Sequence, residues 1–104
     1  MATITRGTTP TIEFNINAHL GDYECILAFG KARNPIFTVT EAKKVTTIGK
    51  TTLTYNLTQE QTLMLKKGTT YMQVRAVRGN DAVATEFVEV TVEDVILDGV
   101  IHDD

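Results

Sequence analysis

The sequence has few of the residues that mark special folds: its 104 residues include one cysteine, two prolines, seven glycines and no tryptophan. A single cysteine cannot form an internal disulfide, which excludes a disulfide scaffold and fits a reducing compartment. With 42% apolar and 22% charged residues, the composition also excludes collagen-like, low-complexity and disordered chains. We therefore expect one ordinary soluble domain with a core of its own.

Positive charge is missing from the end of the chain. No lysine or arginine follows Arg78, whereas eight aspartates and glutamates do, and the net charge is -3. Such a chain does not attract phosphate backbones or anionic lipids, so we predict no nucleic-acid partner and no membrane partner. No apolar run approaches the ~20 residues that span a bilayer. Two lysine pairs, 43–44 and 66–67, are interpreted as solubilising charges at turns.

Helix-favouring runs are also scarce, and β-branched residues take their place, with 18 Thr, 10 Val and 8 Ile. These side chains lose rotamer freedom in helices and suit a pleated sheet. The pattern indicates an all-β fold, an antiparallel immunoglobulin-like two-sheet sandwich of six to seven strands with one short helical turn. The predicted strands span residues 11–18, 23–30, 36–40, 45–48, 51–57, 69–77 and 83–92.

Several local features can be placed within this fold. The strand over 23–30 has apolar residues on both faces, which indicates a central strand covered on both sides. Gly49-Lys50 is predicted to form a two-residue hairpin turn with glycine first. Thr58 and Gln61 match the capping-box pattern, which predicts the helical turn. The residues expected in the core are Ile12, Phe14, Leu27, Phe29, Leu53, Val74 and Val90.

The chain ends carry the candidate interaction residues. We predict a single β-sandwich domain over residues 1–104, with an extended N-terminal segment (1–10) and an acidic C-terminal tail (94–104). The tail holds too many apolar residues for a purely solvated end. It is either an assembly arm that a partner covers or a last element of the core, and both interpretations stay open. The predicted partner-binding residues are Arg6, Gly7, Thr8, Val95, Ile96, Leu97, Val100 and Ile101.

No combination of residues predicts catalysis. Cys25 lies mid-strand on an apolar face, where a thiol usually packs as a small apolar side chain, while His19 and His102 lie in a loop and near the terminus. A metal site built from His102 and the neighbouring tail carboxylates is not favoured, because a flexible end does not hold a fixed coordination geometry. We predict a non-enzymatic protein with no catalytic residue, no cofactor and no metal.

Residues 65–71, followed by Val74 and Ala76, resemble the tyrosine-corner region of fibronectin type III domains, in which a leucine precedes a tyrosine by six residues, here Leu65 and Tyr71. By this analogy Tyr71 is buried, with its hydroxyl bonded to nearby backbone. The match departs from the family pattern at Gln73 and Arg75, which occupy positions that are apolar in the family. The chain also has no tryptophan for the inter-sheet core. A one-residue slip turns every side chain of a strand to the other face, so the departure at Gln73 and Arg75 is a serious one.

A second resemblance covers nearly the whole chain. Its motifs, in order, are Thr-Arg-Gly-Thr-Thr-Pro-Thr (5–11), Leu-Thr-Gln-Glu-Gln-Thr (57–62), Lys-Gly (67–68), Met-Gln-Val-Arg (72–75) and a valine-rich strand with an Asp-Val end (88–95). In this order and spacing the chain resembles a family of small proteins encoded in phages and prophages of Gram-positive bacteria. It is also similar to the amino-terminal β-sandwich of phage upper baseplate proteins, which attach receptor-binding machinery to the tail.

The resemblance implies a non-catalytic structural or adaptor protein of a phage or prophage tail or baseplate, whose partners are other tail or baseplate proteins. The alternative is an immunoglobulin-like or fibronectin-like binding module that recognises a cell-surface ligand. Residues 1–10 are polar and threonine-rich and lack the apolar stretch of a secretory signal, so we expect assembly in the bacterial host cytoplasm. The partner's identity, homo-oligomer formation and retention in the virion tail stay open.

Overall fold

Alternating apolar and polar residues form strands along most of the chain. The computed structural model describes residues 2–102, and within them it contains nine strands and one short helix. The predicted fold class, an all-β two-sheet sandwich with one helical turn, is confirmed. The strands are β1 (Ala2–Thr5), β2 (Thr11–Ile16), β3 (Glu24–Lys31), β4 (Asn34–Val39), β5 (Lys43–Thr47), β6 (Lys50–Asn56), β7 (Gly68–Arg78), β8 (Asp81–Ala84) and β9 (Val88–Glu93), and the helix is α1 (Gln59–Met64).

The larger sheet has six strands in the order β1-β9-β7-β3-β4, with β8 also paired to β7. β7 pairs with β3 on one side and with both β9 and β8 on the other. β9 pairs with residues 68–72 of β7 and β8 pairs with residues 75–78, so β8 and β9 lie one after the other along the same side of β7. The interruption between them, at residues 85–87, divides the strand that was predicted over 83–92. This division and the additional strand β1 explain why the described residues hold nine strands rather than six or seven.

The N-terminal segment, predicted to be merely extended, begins with a true strand. β1 runs parallel to β9, from Ala2 opposite Val90 to Thr5 opposite Glu93, and is the one parallel neighbour among the described strands. Ile4 is 2% exposed and belongs to the core. The sequence pattern missed β1 because its pairing partner lies at the other end of the chain, and a four-residue segment whose one large apolar side chain is Ile4 shows no local periodicity.

The smaller sheet has the order β2-β6-β5, and Phe14 lies opposite Leu53 on its inner face. Thr47 pairs with Lys50, so the hairpin turn between β5 and β6 consists of Ile48 and Gly49. The predicted Gly49-Lys50 turn is therefore wrong by one residue. The observed pairing keeps Leu53 of β6 in the core, and a slip of one residue would turn its side chain to the outer face. Burial of the apolar residues therefore selects this register.

The two sheets enclose a single apolar core. All seven residues predicted for it are at most 8% exposed, and they come from both sheets. The rings of Phe29 and Phe37 stack with their centroids 4.6 Å apart. Tyr71, in contrast, is only partly buried, so the prediction from the fibronectin analogy is wrong. Met72 and Val74 point into the core, and strand alternation therefore turns Tyr71 to the outer face of the sheet.

Two local predictions concern side chains that anchor loops. The capping box of α1 is confirmed: the Gln61 backbone N–H donates to Thr58 Oγ1 at 3.1 Å, and the Thr58 N–H donates to Gln61 Oε1 at 3.0 Å.

The interpretation of Lys44 as a solubilising charge is wrong. Its ammonium donates to three backbone carbonyls of the loop before β3, at distances of 2.6–3.2 Å, so it holds this loop on the smaller sheet.

Candidate functional site

The predicted partner-binding residue Arg6 lies between α1 and the C-terminal tail. Its Nε donates to the carbonyl of Leu65 at 2.7 Å and its Nη2 to the carbonyl of Leu63 at 3.0 Å. Its Nη1 donates to Asp94 Oδ1 at 2.7 Å, and the Arg6 side chain is 19% exposed. The structure thus uses Arg6 to connect the N-terminus, the end of the helix and the beginning of the tail.

Gly7 and Thr8 also make internal contacts. Gly7 has φ +76°, a conformation that glycine adopts at little cost, and it lies beside Leu63 and Val95. Thr8 donates its hydroxyl to the Thr5 carbonyl at 2.6 Å. The Thr8 carbonyl accepts a 2.9 Å hydrogen bond from the hydroxyl of the fully buried Thr62 on α1. Residues 6–8 therefore fasten the helix to the sandwich.

The C-terminal tail is fastened at two points. Asp94 is bound to Arg6, and Asp98 Oδ1 lies 3.6 Å from Arg6 Nη2. Further along, the side-chain amide of Gln59 donates to the Ile101 carbonyl at 2.9 Å and accepts from the Ile101 N–H at 2.8 Å. The hydrogen bond from Arg6 is the main cause that holds the pKa of the Asp94 carboxyl below its usual value, and a bond from the Val95 N–H adds to it.

Between these two points the tail projects apolar side chains from the surface. Ile96 is 106% exposed and Leu97 68%, while Val100 and Ile101 are exposed to a smaller degree and Val95 is half-buried. We call residues 95–101 the terminal knob. The structure combines features of both sequence-based interpretations, because the tail folds back on α1 but keeps its largest apolar side chains in solvent. Its described part, residues 94–102, contributes neither a strand nor a helix.

A second apolar surface lies on the outer face of the larger sheet. It is a groove of about 840 Å³ that runs across β3, β4 and β7. Strand β3 is central, as predicted, but no described residue forms a layer over this face, so the prediction that it is covered on both sides is wrong. We call this surface the outer groove; its apolar floor includes Ile26, Ala28, Tyr71, Val77, Ala82 and Phe87, and its cations are Lys31, Arg33 and Arg75.

The break between β8 and β9 shapes one wall of the outer groove. Thr85 donates its N–H to the Val74 carbonyl at 2.9 Å and accepts from the Val74 N–H through its hydroxyl at 3.0 Å. This local pairing displaces the chain, and Phe87 then lies exposed beside Tyr71, with ring centroids 5.9 Å apart. The sequence contains one indication of this groove: the predicted strand over 23–30 has apolar residues on both faces. That pattern was interpreted as a strand covered on both sides, and the exposed apolar surface was not predicted.

Cys25, His19 and His102 are the described residues that the sequence offered for nucleophilic or acid–base chemistry. Burial raises the pKa of the Cys25 thiol, and the charge of Lys44 lowers it by a smaller amount. A raised pKa disfavours the nucleophilic thiolate. His19 and His102 are both exposed. Within residues 2–102 no three His, Cys, Asp or Glu side chains come together as metal ligands, and Asp103 and Asp104 lie outside the described residues.

The helix α1 is six residues long, and no helix among the described residues has the length and apolar character needed to cross a membrane.

No protein-family model matches this chain, and no curated protein matches its sequence.

Proposed function

We propose that this protein is a non-catalytic structural or adaptor component of a phage tail or baseplate, acting through contacts with other proteins. The observation that carries the interaction role is the pair of open apolar surfaces, the outer groove and the terminal knob, on one rigid sandwich. Contiguous exposed apolar surface is uncommon on monomeric proteins and is typical of protein–protein contacts. The phage context comes from the sequence motifs in residues 5–11, 57–62 and 72–75.

The outer groove has the composition of an interface rather than of a reaction site. Its floor holds two aromatic rings, Tyr71 and Phe87, and exposed aliphatic side chains such as Ile26 and Val77. Aromatic residues and arginine are enriched at protein interfaces, where large side chains become buried against a partner. Arg75 and Arg33 supply arginines to the lining of this surface.

The rigid attachment of the chain ends supports an adaptor role. Arg6 binds the tail at Asp94 and Gln59 binds it at Ile101, which restricts the conformations that the knob can adopt before a partner binds. Preorganisation of this kind lowers the entropy that binding would otherwise cost. An adaptor that must present the same surface in each copy of a particle benefits from this arrangement.

The experiment that tests the proposal follows the untagged protein into particles, because both chain ends make internal contacts. Phage production is induced in a host that carries the gene, particles are purified on a density gradient, and an antibody detects the protein in tail fractions. We expect co-purification with tails. Absence from tails and from tail assembly intermediates would contradict the proposal, and binding of the purified protein to host cell walls would then favour the surface-ligand alternative.

A further inference from the structure

We propose that the terminal knob of one copy docks into the outer groove of a second copy, so that the protein assembles head to tail with itself. The inference names a partner for the two surfaces on which the proposed function rests. It is carried by their complementary chemistry. Each surface is apolar at its centre, and the two differ in the sign of the charges beside it.

The charged side chains that line the outer groove are cations. Lys31 and Arg33 lie at the β3–β4 turn and Arg75 lies on β7, and no carboxylate is among the described residues that line the groove. Three carboxylates on the same sheet face, Glu24, Glu89 and Glu93, lie outside that lining. A ligand for this groove should therefore present an apolar tip flanked by negative charge.

The terminal knob is a segment of this kind on the same chain. Its tip, Ile96 and Leu97, is the most exposed apolar pair of the tail, and the side chain of Asp98 beside it is 73% exposed. No lysine or arginine occurs after Arg78, whereas residues 94–104 contain four aspartates. Arg6, which pairs with Asp94 and Asp98, offsets one of these four negative charges, and the excess stays negative. The knob therefore matches the groove both in its apolar surface and in the sign of its net charge.

The attachments of the knob favour a second copy over its own groove. Self-occupation would require the tail to leave Arg6 and Gln59, with loss of the bonds to Asp94 and Ile101. Docking in a neighbour needs no such change, because Ile96 and Leu97 already project into solvent. Because knob and groove are different surfaces, the contact either closes reciprocally as a two-fold dimer or repeats head to tail into a larger ring or an open filament.

The test uses the purified full-length protein and three variants, with sedimentation velocity and light scattering over a concentration series up to ~1 mM, the weak end of specific association. The knob variant is Ile96→Asp/Leu97→Asp, and the groove variant is Ile26→Ser/Arg75→Glu. Ile48→Asp is the matched control, since Ile48 is 102% exposed in the β5–β6 turn and belongs to neither surface. We expect wild type and control to associate equally, and the other two to associate roughly ten-fold or more weakly.

Mixing distinguishes this contact from other modes of self-association. The knob variant retains an intact groove and the groove variant an intact knob, so an equimolar mixture should form a one-to-one dimer that neither forms alone. Melting temperatures establish that each variant folds. A fourth variant, Lys31→Glu/Arg75→Glu, alters the groove by changing only exposed charges. Failure of the mixture to dimerise, or association that survives the knob variant, overturns the inference. A wild type that stays monomeric throughout also overturns it, while detection of the protein in tails would still support the adaptor role.

Discussion

Arg6 is the residue on which the positions of both chain ends depend. Helices leave their last carbonyls without partners, and the planar guanidinium reaches two of them, on Leu63 and Leu65, while also binding Asp94. The Arg6 side chain is largely buried. Its removal would therefore leave the carbonyl oxygens of Leu63 and Leu65 without a hydrogen-bond donor in a partly buried environment. A lysine has a single ammonium in place of the fork and cannot reach the same three acceptors together.

Replacing Arg6 should therefore lower stability more than replacing an exposed arginine. We expect Arg6→Met to reduce the free energy of unfolding by about 2–3 kcal/mol and Arg6→Lys by a smaller amount, measured by urea unfolding. Arg78→Met is the matched control. Arg78 lies 3.4 Å from Asp81 in an exposed ion pair and over the Tyr23 ring, contacts worth up to about 1 kcal/mol. Equal losses in Arg6→Met and Arg78→Met would show that Arg6 does not hold the ends.

At the scale of elements, the β3–β4 hairpin depends on an irregularity. The register shifts between Phe29 and Gly30, and Gly30 has φ +149°. A Cβ at this position would lie 2.5 Å from the Asn34 carbonyl oxygen and 2.9 Å from the Ile36 nitrogen. Both neighbours are backbone atoms, which cannot move without disturbing the hairpin, so only glycine fits here.

Gly30→Ala should accordingly cost about 3 kcal/mol or more, from backbone strain together with the steric clash. Gly79→Ala is the control that separates the two causes. Gly79 has φ +57° in the β7–β8 turn, and a Cβ there meets nothing within 4 Å, so only the conformational cost of about 1 kcal/mol is expected. Thermal unfolding followed by circular dichroism measures both. Similar melting temperatures for the two variants would contradict the close approach at Gly30.

The C-terminal tail is the other element with a clear test. A chain that ends at Glu93 retains every strand but loses the partners of Arg6 and Gln59 in the tail. We expect it to fold with its β-sheet spectrum intact and to melt several degrees lower, as a loss of about 1 kcal/mol implies for a domain of this size. Global unfolding of the shortened chain would instead show that the tail belongs to the core.

At the scale of the whole molecule, stability should follow the inner faces of the sheets rather than the outer groove. Phe29 is completely buried and stacks on Phe37, whereas Phe87 is half exposed in the groove. We expect Phe29→Ala to cost ~3–5 kcal/mol, through lost burial and the cavity left behind, and Phe87→Ala less than about 1 kcal/mol. Chemical denaturation of the pair provides the comparison. If the Phe87 variant were the less stable of the two, the outer face would be part of the folded core.

Part of this architecture follows from the sequence by itself. The β-branched composition and the alternation of residues such as Phe14 and Leu53 indicate strands with one buried face, since the period of two in a strand is a local property. The capping box at Thr58 and Gln61 is equally local, because its two partners lie three residues apart. Predictions of this kind, including the complete set of seven core residues, agree with the structure.

Contacts between segments that are distant in the sequence depend on the folded arrangement of the whole chain. β1 becomes a strand because β9 lies beside it, and Arg6 becomes an internal brace because α1 and Asp94 meet there. Lys44 binds loop carbonyls more than twenty residues away in the sequence. Whether the outer face of β3 is covered depends on the whole arrangement of elements, which leaves it open. Local periodicity reports which side chains share a face, but the partner of each face is selected by packing free energy summed over the entire chain.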